Sequence, residues 1–111
     1  MSRYPEIITN LPKASINIPG IQGWIAQGIN FQIIFFEIEP VGKIPPHSHG
    51  AQFGIVLEGE MSLTIGTETK KYTKGDTYYI PNGTVHQAEF HSFFRAMDFF
   101  EDAKRYSTLS E

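Results

Sequence analysis

The chain has no cysteine. That absence removes disulfides, thiolate catalysis, iron–sulfur clusters and cysteine zinc fingers together, although it says little about compartment. A long hydrophobic run is also missing. No stretch approaches the roughly 18 apolar residues that a membrane-spanning helix needs. The N-terminal MSRYPEIITN has no apolar run behind its arginine of the kind a signal peptide carries. Positive charge is scarce: nine Lys and Arg stand against twelve Asp and Glu, for a net charge of -3. Nothing in that balance draws nucleic acid or anionic lipid. No internal repeat, low-complexity tract or linker interrupts the chain. The expectation is a soluble, cytoplasmic protein with no nucleic-acid or membrane partner. Its 111 residues suffice for one domain, 1–111, around one core.

Turn residues and strand formers are abundant. Ten glycines and seven prolines cut the chain into short segments rich in Ile, Val, Phe, Tyr and Thr, the residues that favour strands. FQIIFFEIE (31–39) is bounded by Asn30 and Pro40. FGIVLEGEMSLTIG reads as two strands joined by a turn at Glu58-Gly59-Glu60. Phe53, Ile55 and Leu57 share one face of the first, and Met61, Leu63 and Ile65 one face of the second. KYTKGDTYYIPNG adds turns at Lys74-Gly75-Asp76 and Pro81-Asn82-Gly83, and VHQAEFHSFFRAMDFFE is one long strand or two with a bend. Short strands at this spacing predict an all-β sandwich or barrel. Only EDAKRYSTLSE (101–111) is a helix candidate. In the strand after Asn30, Phe31, Ile33 and Phe35 lie on one face and Ile34, Phe36 and Ile38 on the other. Both faces need cover, one from the core and one from a second subunit or from residues 1–20 folded back.

Four histidines are present: His47, His49, His86 and His91. The pair in PPHSHG is spaced i, i+2, so in extended backbone both rings face one way. Pro45 and Pro46 stiffen the approach, and Gly50 lets the backbone turn after it. Two imidazoles are a partial transition-metal site that needs further ligands, and an H-x-H in a loop is also a common ordinary pattern. His86 opens a strand on the face of Ala88 and Phe90, which is an inward position. An inward histidine is costly unless it is hydrogen-bonded or metal-bound. His91 falls on the opposite face and reads as a surface or edge residue.

These residues resemble the cupin family. Gly75, Pro81, Gly83 and His86 fit its motif G-x5-P-x-G-x2-H-x3-N, with Phe90 at the position of the final Asn. The other motif, G-x5-H-x-H-x(3,4)-E-x6-G, is matched with departures. Gly42 comes one residue too close to His47, and Gln52 replaces Glu after a shortened gap, while Gln52 to Gly59 keeps its spacing. The motifs cover about 42–59 and 75–90. The resemblance implies a double-stranded β-helix, or jelly-roll barrel, often dimeric, with one divalent metal near its mouth held by His47, His49, Gln52 and His86. The imidazole-rich ligand set suits a divalent transition metal: Zn, Fe, Mn, Ni, Cu or Co. The alternative for Gln52 is a bond to backbone with no metal contact.

With Gln52 in place of Glu, three neutral imidazoles and a neutral amide leave the ion its full double charge. Such a site favours an anionic ligand such as an enolate, carboxylate or hydroxide. Nine Phe can line a modest apolar pocket suited to a small organic substrate. Tyr78, Phe90 and Arg95 are candidate pocket residues. Arg95 either holds a substrate carboxylate or makes a buried salt bridge with Glu37 or Asp98. Tyr78, Tyr79, Glu37 and Glu39 are general-base candidates, and Glu58 and Glu60 read as solvated. The functional expectation is a metal-dependent enzyme of dioxygenase, isomerase or decarboxylase type acting on a small anionic or enolisable compound. The alternatives are a non-catalytic module that binds or senses a small ligand, and a metal-free, sugar-isomerase-like relative. A homodimer is expected.

Overall fold

The computed structural model describes residues 2–40 and 42–109. Among them, one helical turn, α1 (Glu6–Thr9), precedes the strands β1 (Ile21–Gln27), β2 (Gln32–Ile38), β3 (Gly42–His47), β4 (Gln52–Glu58), β5 (Glu60–Ile65), β6 (Glu68–Thr73), β7 (Thr77–Ile80), β8 (His86–Phe90) and β9 (Phe94–Phe100). They form two antiparallel sheets, one in the order β1-β2-β9-β4-β7 and the other β3-β8-β5-β6. The sheets close over one apolar interior as a jelly roll. Alternation decides which residues enter it. Ile34, Phe36 and Ile38 point inward from β2, Val56 from β4, Met61 and Leu63 from β5, and Phe94, Ala96 and Phe100 from β9. The tight β4–β5 turn requires Gly59, whose φ is +90°. A Cβ there would also overlap the Phe93 carbonyl.

The opposite face of β2 is covered in part by the chain's own N-terminus. Tyr4 meets Trp24 and Phe35 edge-on, at ring-centroid distances of 5.8 and 5.9 Å. Its hydroxyl donates to the Phe36 carbonyl at 2.8 Å. Further along the sheet the cover stops. Ile33, Phe99, Phe53 and Tyr79 form one register row across β2, β9, β4 and β7, and the last three remain exposed.

The helix expected at 101–111 is absent from the described residues of that segment, which run as turns and extended chain. Side chains and the N-terminal strap capture the backbone groups a helix would use internally. The Gln32 side chain bonds both the N–H and the carbonyl of Tyr106. Ser15 N–H donates to Ser107 O and Leu109 N–H to Lys13 O, each at 2.8 Å. Locally, Asp102 Oδ1 accepts from Lys104 N–H at 2.8 Å, a turn bond that competes with helix. The helical turn forms at the other end instead, where Pro5 precedes Glu6 and carbonyls 5 and 6 accept from Thr9 and Asn10. Among the described residues, no helix is long and apolar enough to cross a membrane.

Candidate metal centre

β3 ends at His47, and its register with β8 slips between Ile44 and His47. Pro45 and Pro46 sit in that slip. β3 is an edge strand, where a missing N–H is tolerated. Beyond the slip His47 lies opposite His86, the first residue of β8. His49 follows in the loop, and its carbonyl accepts from Gly83 N–H at 2.9 Å. That bond ties the H-x-H loop to the Pro81-Asn82-Gly83 turn leading into β8. The three ring centroids lie 4.2 Å (His47–His86), 4.7 Å (His49–His86) and 5.2 Å (His47–His49) apart. One ring nitrogen from each lies within 4.8 Å of the other two.

Hydrogen bonds select which nitrogen is free. Nδ1 of His47 donates to Pro45 O at 3.0 Å, Nδ1 of His49 to Gly50 O at 2.7 Å, and Nδ1 of His86 to Thr84 O at 2.9 Å. With the proton held on Nδ1, each Nε2 carries a lone pair. His49 Nε2 is buried and has no hydrogen-bond partner among the described residues. A buried, unpaired acceptor is costly, and a metal ion would satisfy it. The site is also tuned against protonation. Burial lowers the His49 pKa to about 4, helped by the nearby charges of Arg105, His86 and His47. The His86 pKa is lowered by burial, and by His47 and Arg105. Neutral imidazole is the ligating form.

The histidines open onto a cavity of about 500 Å³ between the sheets. Its walls include Phe36, Ile38, Leu63, Phe90 and Phe94, and its polar groups include Gln52, Tyr78, Asp98 and Arg105. Asp98 on β9, 1 % exposed, accepts from the Tyr78 hydroxyl at 2.8 Å and from Gln52 Nε2. Burial raises the Asp98 pKa to about 7 against these two bonds. Because the nitrogen of the Gln52 amide is committed to Asp98, Oε1 is its remaining atom, and that oxygen is the one a cation wants. Arg105 stacks its guanidinium over Tyr106 and Phe100, 4.4 and 5.8 Å from the ring centroids. Its Nε is buried without a partner among the described residues.

The family model for a cupin domain matches residues 34–97, which contain His47, His49 and His86 and strands of both sheets. The chain belongs to the cupin family. A 59-residue stretch of this cupin is 34 % identical to the H2HPP isomerase of Bacillus subtilis, covering 51 % of the chain and 25 % of that protein. The chain therefore spans about a quarter of that relative's length. Among solved structures, an RmlC-like cupin from Shewanella frigidimarina superposes with a TM-score of 0.78 at 18 % identity over 95 % of both chains. KdgF from a Halomonas species superposes at 0.69 with 22 % identity, over 79 % of this cupin and 84 % of that chain. Both share the jelly-roll fold.

Of the residues singled out in the sequence, His47, His49, Gln52 and His86 come together at the cavity, and Tyr78 and Phe90 line it. Arg95 does not. It lies on the outer side of the sheet, where Nε donates to Glu58 Oε1 at 2.9 Å and the guanidinium sits 4.8 Å from the Tyr4 ring centroid. Its ion-pair partner is therefore Glu58, not Glu37 or Asp98. Among the general-base candidates, Glu37 is buried on that outer side under Ser2 and Arg3. Glu39 and Tyr79 are exposed, and Tyr78 alone faces the cavity. His91 is exposed and bonds Ser62 Oγ at 2.8 Å. Two cavity residues, Asp98 and Arg105, were not foreseen in these roles. Asp98 had a signal: Phe94, Ala96, Asp98 and Phe100 alternate on one face of β9, an acid among three apolar side chains. Arg105 had none, because irregular backbone places it.

Proposed function

We propose that this cupin binds one divalent transition metal through Nε2 of His47, His49 and His86, with Gln52 Oε1 as a further ligand, and moves a proton on a small, enolisable carboxylate held in the cavity. The observation that carries the reading is the grouping of one ring nitrogen each from His47, His49 and His86 within 4.8 Å of one another, at an apolar cavity that also contains the buried Asp98 carboxyl and the Arg105 guanidinium. A bound metal would supply positive charge beside a substrate oxygen. The chain's own groups supply the rest. Aromatic and aliphatic walls hold the apolar body of the substrate and exclude water. Arg105 faces its carboxylate, a charge-assisted pairing. Asp98 takes the proton from the carbon beside the carbonyl and returns it at the new position, with the Tyr78 hydroxyl fixing the orientation of the carboxyl. The name of the matched Bacillus subtilis relative, an isomerase, supports proton transfer over oxygen chemistry. Asp98 also supplies, one hydrogen bond behind Gln52, the negative charge that glutamine lacks.

Exchange of the C3 protons of phenylpyruvate in D2O, followed by NMR with zinc-, manganese-, iron-, cobalt- or nickel-loaded protein, tests this. The expected result is acceleration over free metal by at least one ion. Asp98→Asn should then slow exchange about 100-fold or more, the usual range for losing a general base, with its metal content retained. No acceleration with any of the five ions sinks the reading. Acceleration that survives Asp98→Asn removes Asp98 from it.

A further inference from the structure

Gln32 is an unusual resident of the interior. It opens β2, is 1 % exposed, and its amide is fully used. Nε2 donates to Tyr106 O and to Gln27 Oε1, each at 2.8 Å, and Oε1 accepts from Tyr106 N–H at 3.0 Å. A side-chain amide thus exchanges two hydrogen bonds with one residue, as a neighbouring strand would. Gln27 extends the grip, since its Nε2 donates to Ala103 O at 2.8 Å. Together the two glutamines pin the backbone at 103 and 106. Arg105 lies between those points and projects to the cavity. A buried amide is costly if any of its groups is left unpaired, so this pairing specifies one position of the tail, whereas an apolar side chain would permit several. Arg105 makes no ion pair among the described residues, and its buried Nε is unpartnered.

We propose that Gln32 is a positioning residue for anion capture, holding the backbone of Tyr106 so that the Arg105 guanidinium faces a carboxylate in the cavity beside the histidines. This rests on the anionic-substrate reading above and adds the device that sets its selectivity. A guanidinium's two-point geometry rewards correct placement, so a tail free to shift would keep the charge and lose the discrimination.

The test is calorimetric binding of benzoate and of its neutral analogue benzamide to the zinc-loaded protein. The parent should prefer benzoate about tenfold or more, which corresponds to about 1.4 kcal/mol. Arg105→Gln should erase most of that preference. Gln32→Leu, close in size and unable to hydrogen-bond, should lower it about fivefold while benzamide affinity and zinc content hold. In the Arg105→Gln background Gln32→Leu should add nothing, the non-additivity of groups acting as one unit. A merely structural role would weaken both ligands alike. Should Gln32→Leu not fold, the exposed Gln27→Leu decides, with a two- to threefold loss expected in the same sense. Absence of any benzoate preference in the parent overturns the anionic reading itself. Loss of the preference in Arg105→Gln, with full retention in the Gln32→Leu or Gln27→Leu protein that folds, overturns the positioning role alone.

Discussion

At the level of single residues, His49 is the imidazole most strongly set against charge, with its pKa lowered to about 4 chiefly by burial. An unfolded histidine titrates near 6.5. Between about pH 6.5 and pH 4 the unfolded chain therefore takes up a proton at this position that the folded chain refuses. The stability linked to neutral His49 is fully present above about pH 6.5 and is lost as pH falls through that window. In metal-free protein, His49→Gln should flatten this part of the curve of unfolding free energy against pH, measured by urea titration at half-unit steps. An unchanged slope would show that His49 is not shielded. The histidines themselves were legible because their spacing to proline and glycine is a local, covalent property. Asp98 was overlooked because the question of which face of β9 enters the barrel turns on a one-residue register, and one step exchanges Arg95, Met97 and Phe99 for Phe94, Ala96, Asp98 and Phe100.

Among the strands, the row Asp98–Gly54–Tyr78 across β9, β4 and β7 explains how the Tyr78 hydroxyl reaches its acid. The Tyr78 ring crosses the middle strand above Gly54, and a Cβ at that position would overlap its outer atoms. The ring is fully packed, so it cannot swing aside cheaply. Gly54→Ala should break the Tyr78–Asp98 bond and destabilise the fold by about 1–3 kcal/mol, the usual cost of overpacking, while zinc stoichiometry stays at the parent value. A crystal structure of the variant with that hydrogen bond intact would refute the account. Sequence reading recovered most strands here, since Gly and Pro punctuate alternating runs. The C-terminal segment was misread because its short-range pattern tolerates helix. What settles its conformation is a side chain 74 residues away, Gln32 against Tyr106, together with the strap at 13–15. No local window contains that information.

For the whole molecule, the proposed ligands His47, His86 and His49 come from β3, β8 and the loop between β3 and β4, so metal binding would share free energy with folding. Zinc at a hundredfold excess over its Kd should stabilise the fold by about 2.7 kcal/mol, a rise in Tm on the order of ten degrees for a domain of this size. A chelator should reverse the shift, and His86→Ala should not show it. Identical melting with and without zinc would remove the metal from the folding equilibrium.

The pairing of residues 13–15 with 107–109 has a practical consequence for anyone purifying the protein. Leu109 is hydrogen-bonded to Lys13, two positions past Ser107 in the cavity wall, so a polyhistidine tag fused at the carboxyl end would hang competing imidazoles beside the mouth. Ser2 is tethered to Glu37, five residues along β2 from Gln32, a separation of about 16 Å at the rise of a strand. An affinity handle belongs at the amino end.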